Sequence, residues 1–411
     1  MRAFSFLKYQ TNPECYYEEV TKRILGLPRN IFFLGLTSFF NDFSSEMVYS
    51  IFPAFFTSVL KAGAGSLGVV DGIAEAASNF FKVYSGNLSD RLQKRKALVV
   101  SGYTLSVLTR PFYILVSSVT GALGLRVLDR VGKGLRDAPR DAIISLSSPK
   151  EELGRSFGYH RSMDTLGSIL GPLGAYFLLL YFPGRFDVVF LTAFAIGLVA
   201  IFSLLFIRDV AAIAGTVRKG MIGSLRSFSR RFKFFLLSVF ILSIGAIPVA
   251  VMLLTTQSVG LSIANIPLFY MIYSVSYTIF SFIAGSASDR IGPRIIILFG
   301  YIILIGSYFL LNAATTSWTL AFGFLVLGLF PALTDGVQRS FASRLTSESE
   351  RGGALGLLSA ATGLGALVAG ITGGFLWQIY GPATAFIVAG LVVLVGLIVF
   401  FFATKEERKT L

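Results

Sequence analysis

Hydrophobic residues run along this chain in twelve blocks, near 31–59, 66–88, 97–117, 119–143, 157–181, 187–207, 233–257, 264–287, 295–313, 318–341, 354–378 and 381–403. Each block is long enough to cross about 30 Å of hydrocarbon as an α-helix. The short alternating segments of a strand barrel do not appear in the pattern. It predicts an all-α integral membrane protein with twelve transmembrane helices. One block departs from the rest. RVLDRVGKGLRDAPRDA (126–142) carries eight charged side chains in seventeen positions. Arg126, Arg130, Lys133, Asp137 and Arg140 recur at steps of four and three and form one helical stripe, which Asp129, Arg136 and Asp141 widen. A charge at the bilayer centre costs roughly 2.5–3.5 kcal/mol even on the lenient insertion scale. The stripe must therefore face protein, water or a solute path.

Composition supports the membrane setting. Charged residues make up 14% of the 411 residues, against about 25% in soluble chains. The net charge of +14 would invite a nucleic-acid reading in a soluble protein. Its placement argues otherwise. With the N-terminus in the cytoplasm, 25 of the 36 Lys and Arg fall on that side, and two, Lys61 and Arg185, on the other. This bias sets both termini in the cytoplasm and explains the charge without nucleic acid. The expected location is a bacterial inner (cytoplasmic) membrane. Residues 1–30 lack the apolar core and cleavage site of a signal peptide. They read as a cytoplasmic segment, with 14–27 open to a short interfacial helix or a disordered arm. The single cysteine, Cys15, excludes an intrachain disulfide and a cysteine metal cluster.

The chain also repeats itself at an offset of 198–199. SGNLSDRLQKRK (85–96) returns as AGSASDRIGPR (284–294), the pair Gly102–Tyr103 as Gly300–Tyr301, Asp137 as Asp335, and ELGRSFG (152–158) as ERGGALG (350–356). A register held this long points to duplication. It predicts two pseudo-symmetric six-helix bundles, 31–207 and 233–403, joined by a basic linker at 208–232 and followed by a tail at 404–411. Parallel repeats with a midplane site between them are a known transporter plan.

These residues resemble the major facilitator superfamily. Gly86, Asp90, Arg91, Arg95 and Lys96 match its motif after helix 2, with Gln93 where Gly is usual, and the second copy keeps Gly285, Asp289, Arg290, Gly292 and Arg294. Arg126, Gly132 and Gly134 match the helix 4 motif, with Asp129 and Arg130 in place of the usual Gln and Gly. Gly158, Gly167, Gly171 and Pro172 resemble the helix 5 antiporter motif without its closing Gly pair. The resemblance covers 30–403. It implies alternating access, a cavity lined by helices 1 and 4, and a role for the helix 4 Arg in proton coupling.

Depth arithmetic at 1.5 Å per residue puts five ionisable groups in one mid-membrane layer: Arg126, Asp42, Glu46, Glu75 and Arg110, each about 16–24 Å above the inner boundary. Asp42, Glu46, Tyr49 and Pro53 share a face of helix 1, and Glu75 and Lys82 a stripe on helix 2. Asp42 and Glu46 are expected to face Arg126. A buried carboxylate beside a cation is pulled two ways, by desolvation and by charge, which is the physical basis of a proton-coupled acid. Asp42, Glu46, Arg126, Asp129, Arg130, Glu75 and Tyr49 are thus the coupling or substrate set. Arg110 reads as structural, and His160 with Arg161 and Asp164 as packing or gating residues. Asp90, Arg91, Arg95, Asp137, Arg140, Asp289, Arg290, Asp335 and Arg339 are the gating set. The second bundle offers polar but mostly uncharged residues (Ser243, Thr255, Gln257, Tyr273 and Tyr277), which suits an amphiphilic solute.

The expected function is secondary transport of a small organic, amphiphilic or charged solute, driven by a proton gradient and directed outward, with no cofactor or metal. An importer of a polar or anionic solute is the alternative, Arg130 and Lys133 then holding the anion. An intramembrane enzyme is disfavoured: there is one His and one Cys, Asp42 and Glu46 lie one turn apart on one helix, and GKGLRDAPR lacks P-loop spacing. The partners are the solute and the lipid bilayer, and a monomer suffices.

Overall fold

The computed structural model describes residues 23–92, 95–149, 152–210, 228–347 and 350–404, apart from the side chains of 87 and 90–92. Twelve long helices account for nearly all of it: α1 Arg29–Ser58, α2 Ala64–Leu92, α3 Arg95–Phe112, α4 Val119–Leu146, α5 Leu153–Tyr181, α6 Phe186–Leu204, α7 Arg230–Ile244, α8 Ile266–Ile291, α9 Pro293–Ala313, α10 Ser317–Arg344, α11 Arg351–Tyr380 and α12 Pro382–Ala403. Nine spans among the described residues are long and apolar enough to cross a membrane. The three long helices outside that set are α1, α2 and α4, the ones that carry the polar side chains of the candidate site. Helices α1 and α12 begin and end on one face of the bundle, called here the terminal face; the other is the far face.

Local signals set the helix ends. Ser118 caps α4 by accepting from Gly121 N at 3.2 Å, and Ser229 caps α7 by accepting from Phe232 N at 3.2 Å. Thr316 and Thr319 form a reciprocal capping box on α10. Gly292 (φ 91°) and Gly381 (φ 85°) adopt backbone that other residues avoid, and Pro293 and Pro382 follow as first helical residues. Each Gly-Pro pair turns the chain from one helix into the next with no intervening loop.

The seventh block is not one helix. After Ile244 the chain breaks through Gly245–Pro248 and resumes as short turns at Val249–Met252 and Thr255–Ser258. Pro248 has no N–H to continue the ladder. The freed groups are satisfied from α9, where Tyr308 Oη donates to Gly245 O at 2.7 Å and accepts from Ile247 N at 3.1 Å. Irregular backbone is tolerated inside a membrane only when it is satisfied in this way. Of the expected 14–27 segment, the described part is a two-residue hairpin pairing Arg23–Ile24 with Leu27–Pro28, not a helix. Leu25 and Gly26, both at positive φ, make its turn.

The internal repeat is visible in the packing. Helix α1 packs on α5 and α6 as α7 packs on α11 and α12, while α4 lies between α2 and α3 as α10 lies between α8 and α9. Across the boundary α2 meets α11 and, in the pseudo-symmetric pair, α8 meets α5.

Candidate functional site

Arg126 occupies the centre of the first half, its side chain 3% exposed. It does not pair with Asp42 or Glu46 as the spacing suggested. Its Nη2 lies 3.2 Å from Asp71 Oδ1 on α2, and its Nη1 lies 3.6 Å from Asp129 Oδ2 one turn along α4. The guanidinium sits over the Tyr49 ring at 4.5 Å and the Phe52 ring at 5.3 Å. Tyr49 Oη completes the cluster by donating to Asp71 Oδ2 at 3.2 Å. The reason for the difference is depth. Asp71 and Arg126 each stand seven residues from the far-face start of their helices, and those helices pack together. Arg130 follows one turn later, 5.6 Å from the same Tyr49 ring.

The two acids of α1 face elsewhere. Glu46 Oε2 accepts from Tyr270 Oη of α8 at 2.7 Å, a bond between the halves. Asp42 Oδ1 accepts from Asn41 Nδ2 at 3.0 Å. The motif residues of α5 position both acids. A Cβ added at Gly167 would lie 3.2 Å from the Asp42 Cβ, and one at Gly171 2.9 Å from the Glu46 Cβ. Pro172 is buried behind them. The small residues thus bring α5 onto the polar face of α1.

Glu75 on α2 is exposed and accepts from Asn79 Nδ2 at 3.2 Å. Arg161, Asp335 and Arg339 are exposed as well, although they stand away from the helix ends. Charged groups at that depth need water rather than lipid around them. Helix α4 packs on α1, α2, α3 and α5, and α10 on α8, α9 and α11, all within their own halves. Most of the contacts between halves lie from the centre to the far face, with Arg161 Nη2 donating to Tyr277 Oη at 3.3 Å on their terminal side. Toward the far face Gly65 N donates to Gln378 Oε1 at 2.9 Å, Gln257 Nε2 donates to Thr57 Oγ1 at 3.1 Å, and the backbones of Gly68 and Gly370 touch. The cavity therefore opens toward the terminal face.

The expected gate residues pair within their halves. Asp137 lies 3.3 Å from Lys82 and 3.5 Å from Arg140, and Arg140 reaches Asp141 at 3.0 Å. Arg136 donates to Ser106 Oγ at 2.9 Å and stacks over Tyr103 at 4.3 Å. Asp289 accepts from Arg344 at 2.8 Å at the terminal ends of α8 and α10, beside Arg290. Arg95 donates to Val210 O at 3.2 Å, tying α3 to the segment after α6. The side chains of Asp90 and Arg91 lie outside the described residues. Arg110 is buried, donating to Asn41 Oδ1 at 3.0 Å and to Ser44 Oγ. His160 is buried too. In the second half Ser243 and Thr255 are buried in packing, while Tyr273 and Tyr277 remain half-buried beside Asp335. Tyr270, Tyr273 and Tyr277 stack in series along α8 at 5.8 and 6.5 Å.

Sequence reasoning missed Asp71 and Tyr270. Asp71 lies four residues before Glu75, so its signal was present in the helix 2 stripe.

A pseudo-symmetric twelve-helix bundle with a polar cavity between its halves is the architecture of a membrane transporter. The Major Facilitator Superfamily profile matches residues 34–272 and 233–411, and the chain belongs to that family; its members are membrane transporters and not enzymes. An uncharacterised MFS-type transporter of Methanocaldococcus jannaschii is 34% identical over 383 residues, 91% of this chain and 95% of that protein. A class B tetracycline resistance protein of Escherichia coli is 34% identical over 139 residues, 34% of each chain. The crystal structure of the nucleoside transporter NupG superposes with a TM-score of 0.75 over 92% of this chain and 99% of that one, at 15% identity, a likeness of fold.

Proposed function

We propose that the chain exports a small organic, amphiphilic or charged solute in exchange for protons by alternating access. The terminal face is then cytoplasmic, in a bacterial inner membrane, and the working unit is a monomer. The observation that carries the reading is the polar cluster at the boundary of the halves, where Glu46 and Asp42 stand beside a cavity open to one face. Asp42 and Glu46 serve as proton-carrying groups, and Arg126, held by Asp71 and Asp129, fixes the local field. Glu75, Arg130 and Tyr49 belong to the wall that meets solute. Asp137, Arg140, Asp335, Arg339, Asp289, Arg290 and the segment Asp90, Arg91 and Arg95 serve as gating groups. The partial helix 5 motif and the likeness of one third of the chain to tetracycline resistance proteins support the outward direction.

Reconstitution into vesicles with an imposed proton gradient tests the reading. A solute found by thermal-shift screening should move against a proton flux in inverted vesicles. Accumulation only in right-side-out vesicles with an inward gradient would establish the importer instead. Solute movement indifferent to the gradient would end proton coupling.

A further inference from the structure

The outer seam between α9 and α12 is open along its length. On the terminal side it forms a groove of about 340 Å³, walled by Leu298 and Ile302 of α9 and by Leu394, Leu397, Ile398 and Phe401 of α12. Leu394 also lines a second groove of about 200 Å³ nearer the far face, beside Ile305 and Phe309. Ile302, Ile398 and Phe401 are exposed. Arg294 stands at the terminal mouth of the first groove. It precedes Ile302 by eight residues of α9, roughly 12 Å at the rise of a helix. One leaflet holds about 15 Å of hydrocarbon, half of the 30 Å core. The terminal groove is therefore about one leaflet deep.

The guanidinium of Arg294 lies 4.8 Å from the centre of the Phe401 ring, and its Nη2 donates to Phe401 O at 2.8 Å. Arg231 of α7 donates to Thr404 O at 3.3 Å, so two cations flank the end of α12. Cations there complement the helix dipole. That role engages one of the five N–H groups of Arg294. Its Nε has no hydrogen-bond partner among the described residues. The internal repeat supplies a contrast. Arg95 of α3 holds the place of Arg294 at the offset of 199. Arg95 is buried and donates to Val210 O, while its neighbour Lys96 reaches Leu205 O at 3.4 Å. The first half closes the segment after α6 over its arginine. The second half leaves its arginine half-buried beside an open apolar trough.

We propose that the α9–α12 seam binds an anionic phospholipid of the terminal-face leaflet, with its phosphate on Arg294 and one hydrocarbon tail in the groove that runs to Ile302. A guanidinium matches phosphate oxygens with paired N–H groups. The tail covers the apolar walls, and the depth of the trough fits one tail. Basic pockets between membrane helices on the cytoplasmic side suit anionic headgroups. A free phosphate would use Arg294 alone and leave the trough uncovered. The inference goes beyond the transport reading and holds for any solute, direction or driving ion.

The test is lipid binding to the purified full chain, read by native mass spectrometry. The protein is stripped of lipid in detergent and titrated with phosphatidylglycerol, with phosphatidylcholine of the same tails, or with inorganic phosphate. Phosphatidylglycerol should bind about tenfold more tightly than phosphatidylcholine, the size of one charge-assisted hydrogen bond. Inorganic phosphate should not displace it. Arg294→Gln should lose the preference. Ile398→Trp fills the groove and leaves Arg294 in place, and it should weaken phosphatidylglycerol binding about tenfold as well. Arg185→Gln removes a cation at the far face and should keep the preference. Phosphatidylglycerol with a photoactivatable tail should cross-link to peptides of α9 and α12. Equal binding of the two lipids, a preference kept by Arg294→Gln or lost by Arg185→Gln, unweakened binding by Ile398→Trp, or cross-links confined to other helices would each overturn the proposal. Displacement by inorganic phosphate would make Arg294 a site for a free anion and overturn it too.

Discussion

Tyr270 of α8 donates its hydroxyl to the Glu46 carboxylate of α1 at 2.7 Å, and its ring meets Tyr49 edge-on at 5.2 Å. A group of the second half is thereby bound to an acid of the first at mid-membrane. Tyr270→Phe removes the bond and keeps the packing. Transport in vesicles should fall about tenfold, while stability should drop by no more than about 1.5–3 kcal/mol, the range for a hydrogen bond to a charged group. Full transport by the variant would show that this contact is incidental.

Arg126 and Asp71 form a pair whose partners are both largely buried, 3% and 13% exposed. Removing one partner leaves a buried charge unmatched. Arg126→Ala should therefore destabilise by about 3–5 kcal/mol, and Asp71→Asn by less, because the amide keeps one acceptor. A double-mutant cycle by thermal or denaturant unfolding should show coupling above about 0.5 kcal/mol. Strict additivity would mean that the two do not act together.

Gly68 and Gly370 let α2 and α11 touch backbone to backbone, and an added Cβ at either would strike the carbonyl of the other. Gly370→Leu should hold the far face apart. Cysteines placed on that side should become more reactive to an impermeant maleimide, and transport should cease while the protein still folds and extracts as a monodisperse species. Unaltered reactivity would place the closing contact elsewhere.

Gly197 on α6 packs directly against the Arg110 guanidinium and Val107. Gly197→Val overfills that contact and should cost about 1–3 kcal/mol of stability. The change should appear in the melting temperature, with the proton dependence of transport intact in the folded fraction.

Much of this arrangement was legible from spacing. The stripe from Arg126 to Arg140 could only face protein or water, and it does. The repeat implied two like halves, and α4 and α10 sit alike within theirs. The Asp71–Arg126 pair was missed, because the depth arithmetic left Asp71 out, although in the structure both stand seven residues from their helix starts. Asp42 and Glu46 share a face with Tyr49, but a shared face does not say which neighbouring helix that face meets. Contacts between halves were not legible. Tyr270 and Tyr277 lie seven residues apart on α8 and meet an acid and a base from two different helices. No periodicity within one segment encodes that. The break in the seventh helix was signalled by Pro248, whereas the Tyr308 hydroxyl that makes it tolerable came from a distant segment.

The Gly-Pro junctions at 292–293 and 381–382 leave no slack between α8 and α9 or between α11 and α12. Whatever shifts α8 at its tyrosines must drag α9, whose outer surface, with Phe299, Ile302 and Phe309, is exposed and apolar. Each cycle of the boundary thus reshapes the perimeter that the acyl chains must wet. Bilayer thickness and lateral pressure become thermodynamic inputs to the cycle, alongside the ions and solutes on either side.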